Sequence, residues 1–246
     1  MKTPTQNGFT LIEMAVVLMI VGLLLGGLLV PLSAQMDQRK NSETQKALEE
    51  IKDALIGYTI ANGRLPWPAC GTIATGQANA GIELSPASAT LCTTSANDRN
   101  VLPWAALGIN ETDAWGNRYT YRVTDDFADD NGTTSNCTTL APPQATFALC
   151  SAGNLNVMSA TSGVVATVAG NVPAVIISHG KNAAGAYTTQ GTQLAVGNNP
   201  DEKENSDGST NSKYVSHTPT PTFDDLVVWI SPNVLFNRMV TAGKLP

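Results

Sequence analysis

Gly8-Phe9-Thr10-Leu11-Ile12-Glu13 opens a run that continues from Met14 to Met36 as MAVVLMIVGLLLGGLLVPLSAQM, without one charged residue. A bilayer core about 30 Å thick needs roughly 20 apolar residues in a helix, so the run predicts a transmembrane helix over residues 9–36. A secretory signal would be cut at small residues beyond a shorter apolar core, and Ser33-Ala34 offers such a site. Three features oppose that reading. The apolar stretch is too long, the polar leader MKTPTQNG stops at Gly8 directly before the run, and Glu13 stands near its start. A carboxylate within a membrane costs about 3 kcal/mol or more, so Glu13 calls for a partner. Cleavage after Gly8 creates one, because the new α-amine on Phe9 is mostly protonated at neutral pH. It can lie one turn from Glu13 in the same helix, or reach Glu13 of a neighbouring subunit. The bland alternative is a Glu13 that snorkels to the interface.

Further along the run, Pro31 lacks an N–H and is expected to kink the helix. Gly22, Gly26 and Gly27 permit either close helix approach or flexibility. Arg39 and Lys40 follow the run while Lys2 precedes it, so charge counting alone would place the C-terminal side in the cytoplasm. Over residues 37–63 the helix turns amphipathic. Leu48, Ile51, Leu55 and Tyr58 recur at helical spacing, and Asn62-Gly63 with Pro66 supplies the stop. The stripe is too short for a coiled-coil seam and predicts burial against a sheet.

The junction at Gly8, Phe9 and Glu13, joined to this apolar run, resembles the leader junction of type IV pilins and type II secretion pseudopilins. That resemblance implies cutting after Gly8 and methylation of Phe9 by a prepilin peptidase. It also implies a retained helix packed in a filament core, with Glu13 setting assembly register. It outweighs the charge count and places the leader in the cytoplasm and the head in the periplasm of a bacterium, anchored by one pass through the inner membrane. The implied partners are other pilin or pseudopilin subunits, the prepilin peptidase, an inner-membrane assembly platform and membrane lipid.

The rest of the chain predicts an α+β, pilin-like fold: a long N-terminal helix on an antiparallel sheet, with a short C-terminal helix. The domains are a leader at 1–8, a membrane helix at 9–36, its amphipathic continuation at 37–63 and a head at 64–246. Leu65-Pro66-Trp67-Pro68 links helix to head, and residues 71–100 form a long loop. Asp113-Ala114-Trp115-Gly116-Asn117 is a turn, after which Tyr119, Tyr121 and Val123 alternate with Arg118, Thr120 and Arg122 as in a half-buried strand. This segment resembles the D-x-W-G-N-x-Y-x-Y stretch of pseudopilin heads. Residues 173–182 and 223–230 predict further strands, and Ser231-Pro232 starts a helix that ends near Gly243. The head is larger than in a minimal pseudopilin, which favours a minor subunit.

A net charge of −6 and a pI near 4.8 oppose a nucleic-acid partner, which needs clustered Lys and Arg. Four cysteines without a CxxC pair oppose structural zinc and fit disulfides in an exported head. Of three pairings, the sequence-local Cys70–Cys92 and Cys137–Cys150 is favoured. Ser178-His179 cannot pair as nucleophile and base, because strand neighbours point to opposite faces; both histidines read as loop residues and no catalytic site is expected. Two acidic loops, at Asp125, Asp126, Asp129 and Asp130 and at Asp201, Glu202 and Asp207, offer oxygen ligands of the kind Ca²⁺ takes. Solvated loops are the plain alternative, although the resemblance adds that major pseudopilins carry a head calcium. The expected function is a structural subunit of a type II secretion pseudopilus or type IV pilus-like filament. A surface-binding module at a filament tip is the alternative, with a secreted enzyme behind both.

Overall fold

The computed structural model describes residues 8–92, 99–129, 145–206 and 212–245, except the side chains of residues 25–32 within the first helix and of residues 87, 89, 90 and 99. That helix, α1, spans Leu11–Asn62. It ends as the sequence predicts, at Gly63 with φ +77°, a left-handed conformation that glycine adopts without a Cβ penalty. The Gly63 N–H donates to Thr59 O at 2.8 Å, satisfying a carbonyl the helix would otherwise leave open. α1 continues through Pro31 as one element, and the side chain expected to bend it lies outside the described ones.

Two compact units divide the chain, Met1–Ser42 and Glu43–Pro246. In the first, the described apolar side chains of α1 are exposed, Leu11 at 92% and Leu18 at 66%. They stop at Leu24, and among the described residues no helix is long and apolar enough to cross a membrane. The anchor expected over residues 9–36 is therefore not shown by the structure.

The second unit holds eight described strands: β1 Ala69–Cys70, β2 Arg99–Val101, β3 Thr120–Val123, β4 Leu155–Met158, β5 Thr167–Val172, β6 Ala174–Ser178, β7 Lys213–Val215 and β8 Leu226–Ile230. Its helices are α2 Trp104–Leu107, α3 Asp125–Ala128, α4 Pro200–Ser206 and α5 Pro232–Thr241. Five strands form an antiparallel sheet in the order β1-β2-β3-β6-β8. The α+β expectation of a helix on an antiparallel sheet, closed by a short C-terminal helix, matches this arrangement. A three-stranded sheet, β5-β4-β7, was not expected.

Alternation along β6 explains how both layers are held. Ala174 and Ile176 face one way, into a core with Leu48, Ile51 and Leu55 of α1 and Leu235 and Met239 of α5. Val175 and Ile177 face the other way, onto Leu155 and Val157 of β4, Val172 of β5 and Tyr214 of β7. The predicted stripe on α1 is thus buried, except that Tyr58 is half-buried and turns its hydroxyl to Glu83. β3 is not half-buried as predicted, since Thr120, Tyr121 and Val123 are buried and Arg122 is intermediate. Arg118 is 1% exposed. Its Nε donates to Glu111 Oε1 at 2.8 Å and its Nη1 to Gly71 O at 2.8 Å, while its guanidinium lies 4.6 Å from the Trp104 ring.

Cys70 and Cys92 form a disulfide. Cys150 is also disulfide-bonded, and Cys137 lies outside the described residues. The closed loop carries Glu83 back to the end of α1. Its carboxylate accepts hydrogen bonds from Arg64 Nη1 (2.8 Å), Arg64 Nη2 (2.9 Å), Tyr58 Oη (2.7 Å) and the Trp67 amide (2.9 Å). Residues 65–68 are accordingly a buried connection rather than a bare spacer.

Candidate functional site: the N-terminal junction and a carboxylate cluster in the head

Gly8, Phe9 and Thr10 precede the first turn of α1, in which Glu13 lies. Thr10 and Glu13 hold each other. The Thr10 amide and hydroxyl both donate to Glu13 Oε2 at 2.8 Å, and the Glu13 amide donates to Thr10 Oγ1 at 3.3 Å. This is a capping box, in which a Thr and a Glu three residues on satisfy open donors at a helix start. The T-x-x-E spacing signals it, and sequence reasoning passed over Thr10. The contact brings the Glu13 carboxylate to within one residue of the nitrogen that cutting after Gly8 would expose. A Cβ placed on Gly8 would meet nothing within 4 Å, so packing in the chain makes no demand for glycine there. Phe9 is 85% exposed.

In the head, the predicted acidic loops are not assembled as expected. Asp125 and Asp126 open α3, and Asp125, Asp126 and Asp129 join no metal-sized cluster among the described residues; Asp130 and Asp207 lie outside those residues. Asp201 is committed elsewhere. Its Oδ1 accepts from the Thr161 amide and hydroxyl (2.8 and 2.6 Å), and its Oδ2 lies 3.2 Å from His217 Nε2. Burial acts to raise the Asp201 pKa, but these hydrogen bonds hold it below its ordinary value.

Glu202 does join a cluster, with Asp224 and Asp225, which sequence reasoning missed. The three offer oxygens within 4.8 Å of one another. Glu202 Oε1 accepts from Asn182 Nδ2 (2.7 Å) and the Asp224 amide (3.2 Å). Asp224 Oδ2 accepts from the Lys181 and Asn182 amides (2.8 and 2.9 Å). Asp225 Oδ2 accepts from Asn205 Nδ2 (2.8 Å). Asp224 Oδ1 and Asp225 Oδ1 are buried without a hydrogen-bond partner, as is His179 Nδ1, which lies 3.5 Å from Asp225 Oδ1. His179 lies just past the end of β6, in a loop as predicted, but it is fully buried, its Nε2 2.8 Å from Thr120 Oγ1. Ser178 Oγ donates instead to Asp113 Oδ2 at 2.6 Å. Burial raises the pKa of Glu202 and of Asp224, and the charge of Asp225 adds to both. Buried polar atoms are rarely left unpaired; Asp225 Oδ1 has the His179 ring beside it, but Asp224 Oδ1 is orphaned next to two other carboxylates, an arrangement that a divalent cation with oxygen ligands could satisfy. The one cue in the sequence is a pair of carboxylates, Asp224-Asp225, directly ahead of an apolar strand.

Residues 3–29 match the family model of the prokaryotic N-terminal methylation motif. No curated protein and no solved structure matches the chain.

Proposed function

We propose that this chain, which carries the type IV pilin and pseudopilin signal at residues 3–29, is a structural subunit of a type II secretion pseudopilus or a related type IV pilus-like filament. The signal implies processing by a prepilin peptidase and assembly with other pilin subunits. In this reading the peptidase cuts after Gly8 and methylates the amine of Phe9. The uncharged run from Met14 to Met36 anchors the subunit in the inner membrane, beside an assembly platform, with the head in the periplasm. The observation that carries the reading is Glu13. An acid at the start of an apolar run, held by Thr10 two residues from the proposed cut, supports a pairing with the amine that processing would create. Such pairing removes two charges from a low-dielectric site and fixes axial register between subunits. N-terminal sequencing of the mature chain from membranes should begin at methylated Phe9. A start near Gln35, or an uncut leader, would end the proposal.

The three converging carboxylates and the orphaned Asp224 Oδ1 support a second, separate reading: Glu202, Asp224 and Asp225 hold a structural Ca²⁺ that ties α4 to the entry of β8. A cation that binds only the folded head raises its stability by mass action, by about 2.7 kcal/mol at one hundred times the Kd. Millimolar Ca²⁺ should therefore raise the Tm of the chelator-treated protein, and Asp225→Asn should abolish the rise. An unchanged Tm in the parent protein would exclude the site.

A further inference from the structure

β8 ends the larger sheet and β5 ends the smaller one, so among the described residues each is paired on one side only. Proteins that stay monomeric blunt such edges with Lys, Pro or other charges. Neither Thr167–Val172 nor Leu226–Ile230 contains one. Beside β8 runs a groove of about 350 Å³, bounded by α1 and the start of α5. Val227, Val228, Trp229 and Ile230 all line it. Successive strand residues point to opposite faces, so a groove touched by four in a row follows the strand's edge. Its two charged residues, Glu49 and Lys52, pair with each other at 2.9 Å, leaving no unmatched charge to be desolvated.

The same chain presents a complement. The turn between β4 and β5 exposes Val164 at 97%, with Val165 at 41% and Val168 at 47% beside it. No residue from Ser159 to Val172 is charged. An apolar tip and an apolar groove at different places on one chain would make a heterologous contact, which builds an open filament unless its rotation closes a ring.

We propose that the groove along β8 receives the β4–β5 hairpin of a second copy of this chain, with Val164 and Val165 at its centre. The occupant is a second copy because both halves of the contact, matched in apolarity and lack of charge, lie on one sequence. The groove also adjoins α1, the helix whose start bears the assembly signal. The inference rests on the filament reading, which brings copies side by side.

Two differently tagged full-length copies, expressed together in a bacterial host that supplies a prepilin peptidase and an inner-membrane assembly platform, provide the test. One copy carries the photo-crosslinker p-benzoylphenylalanine at Val164, or separately at Leu11 to report contact through the N-terminal helix. We expect the probe at 164 to label residues 227–234 of the other copy. Val234→Asp, at a 48% exposed position of α5 that tolerates a charge in the free chain, should cut that yield about tenfold or more by burying an unpaired carboxylate. The yield from the probe at 11 should not change. Labelling of another protein, of other residues, or of nothing at 164, while the probe at 11 still captures the second copy, overturns this contact and leaves the filament reading standing. If both probes fail to capture a second copy, both proposals fall.

Discussion

Two demands meet on the carboxylate of Glu13. One is local: its oxygen accepts from the amide and hydroxyl of Thr10 and secures the start of α1. The other is the proposed pairing with the amine of a processed Phe9, which needs charge. Substitution separates them. Glu13→Gln keeps an acceptor for the cap and removes the charge; Glu13→Ala removes both. We expect both variants to be cut normally after Gly8 and to fail to enter filaments, measured by immunoblot of sheared or pelleted filaments. Normal incorporation of the Gln variant would reduce Glu13 to a helix cap. Thr10→Ala should weaken the helix start by about 1 kcal/mol and lower incorporation without abolishing it. Glu13 stood out in the sequence as an ionisable group in an apolar run, while its capping role shows only in the structure. Thr10 was overlooked although its spacing is a known helix-start signature. The Glu202, Asp224 and Asp225 cluster was not legible as a unit, since folding alone brings together positions 22 residues apart.

Among the elements, the second half of α1 was readable because its apolar spacing has a single structural solution, a face buried on a sheet. β6 was readable as a continuous apolar run, and the second sheet explains why: both faces of β6 are covered. The second sheet itself left little trace. β4 and β7 are only four and three residues long, too short for their alternation to stand out, and β5 is exposed along most of its length and so carries no apolar run. The Glu83 clamp was equally hidden, since it joins a loop to a helix end through side chains distant in sequence. Burial acts to raise the Glu83 pKa, but hydrogen bonds from Arg64, Tyr58 and the Trp67 amide outweigh it and hold it below its ordinary 4.5. A lowered carboxylate contributes stability above its unfolded pKa and loses it as pH falls through the folded value. Glu83→Gln should therefore destabilise the head by about 2 kcal/mol near pH 7, and the gap from the parent should narrow below about pH 4.5. Thermal melts of both proteins from pH 7 to 3 check this; a gap independent of pH would mean that the carboxylate's charge is not what the clamp uses.

At the scale of the whole molecule, the division at Ser42 and Glu43 predicts where the chain can be shortened. A head beginning at Glu43 keeps Leu48, Ile51 and Leu55, all buried, and should melt cooperatively. One beginning at Asn62 loses these three and Ile56, four buried core side chains. Deleting each costs about 2–5 kcal/mol, against a whole-domain stability of about 5–15 kcal/mol, so the shorter version should show no cooperative transition by circular dichroism. Cooperative melting of the shorter version would show that α1 is dispensable to the core. The broad plan, a long N-terminal helix and a mixed α+β head with an antiparallel sheet, was visible in the amino acids, whereas the layering of two sheets was not. The Cys70–Cys92 bridge ties location to shape. Its ends lie 22 residues apart in sequence, a closure worth about 3 kcal/mol in chain entropy, and Glu83 lies between them. A copy held among cytoplasmic reductants would lack that tether, and the corner where helix meets head would be its weakest point. Proteolytic trimming would then begin there, sparing copies that had reached an oxidising compartment.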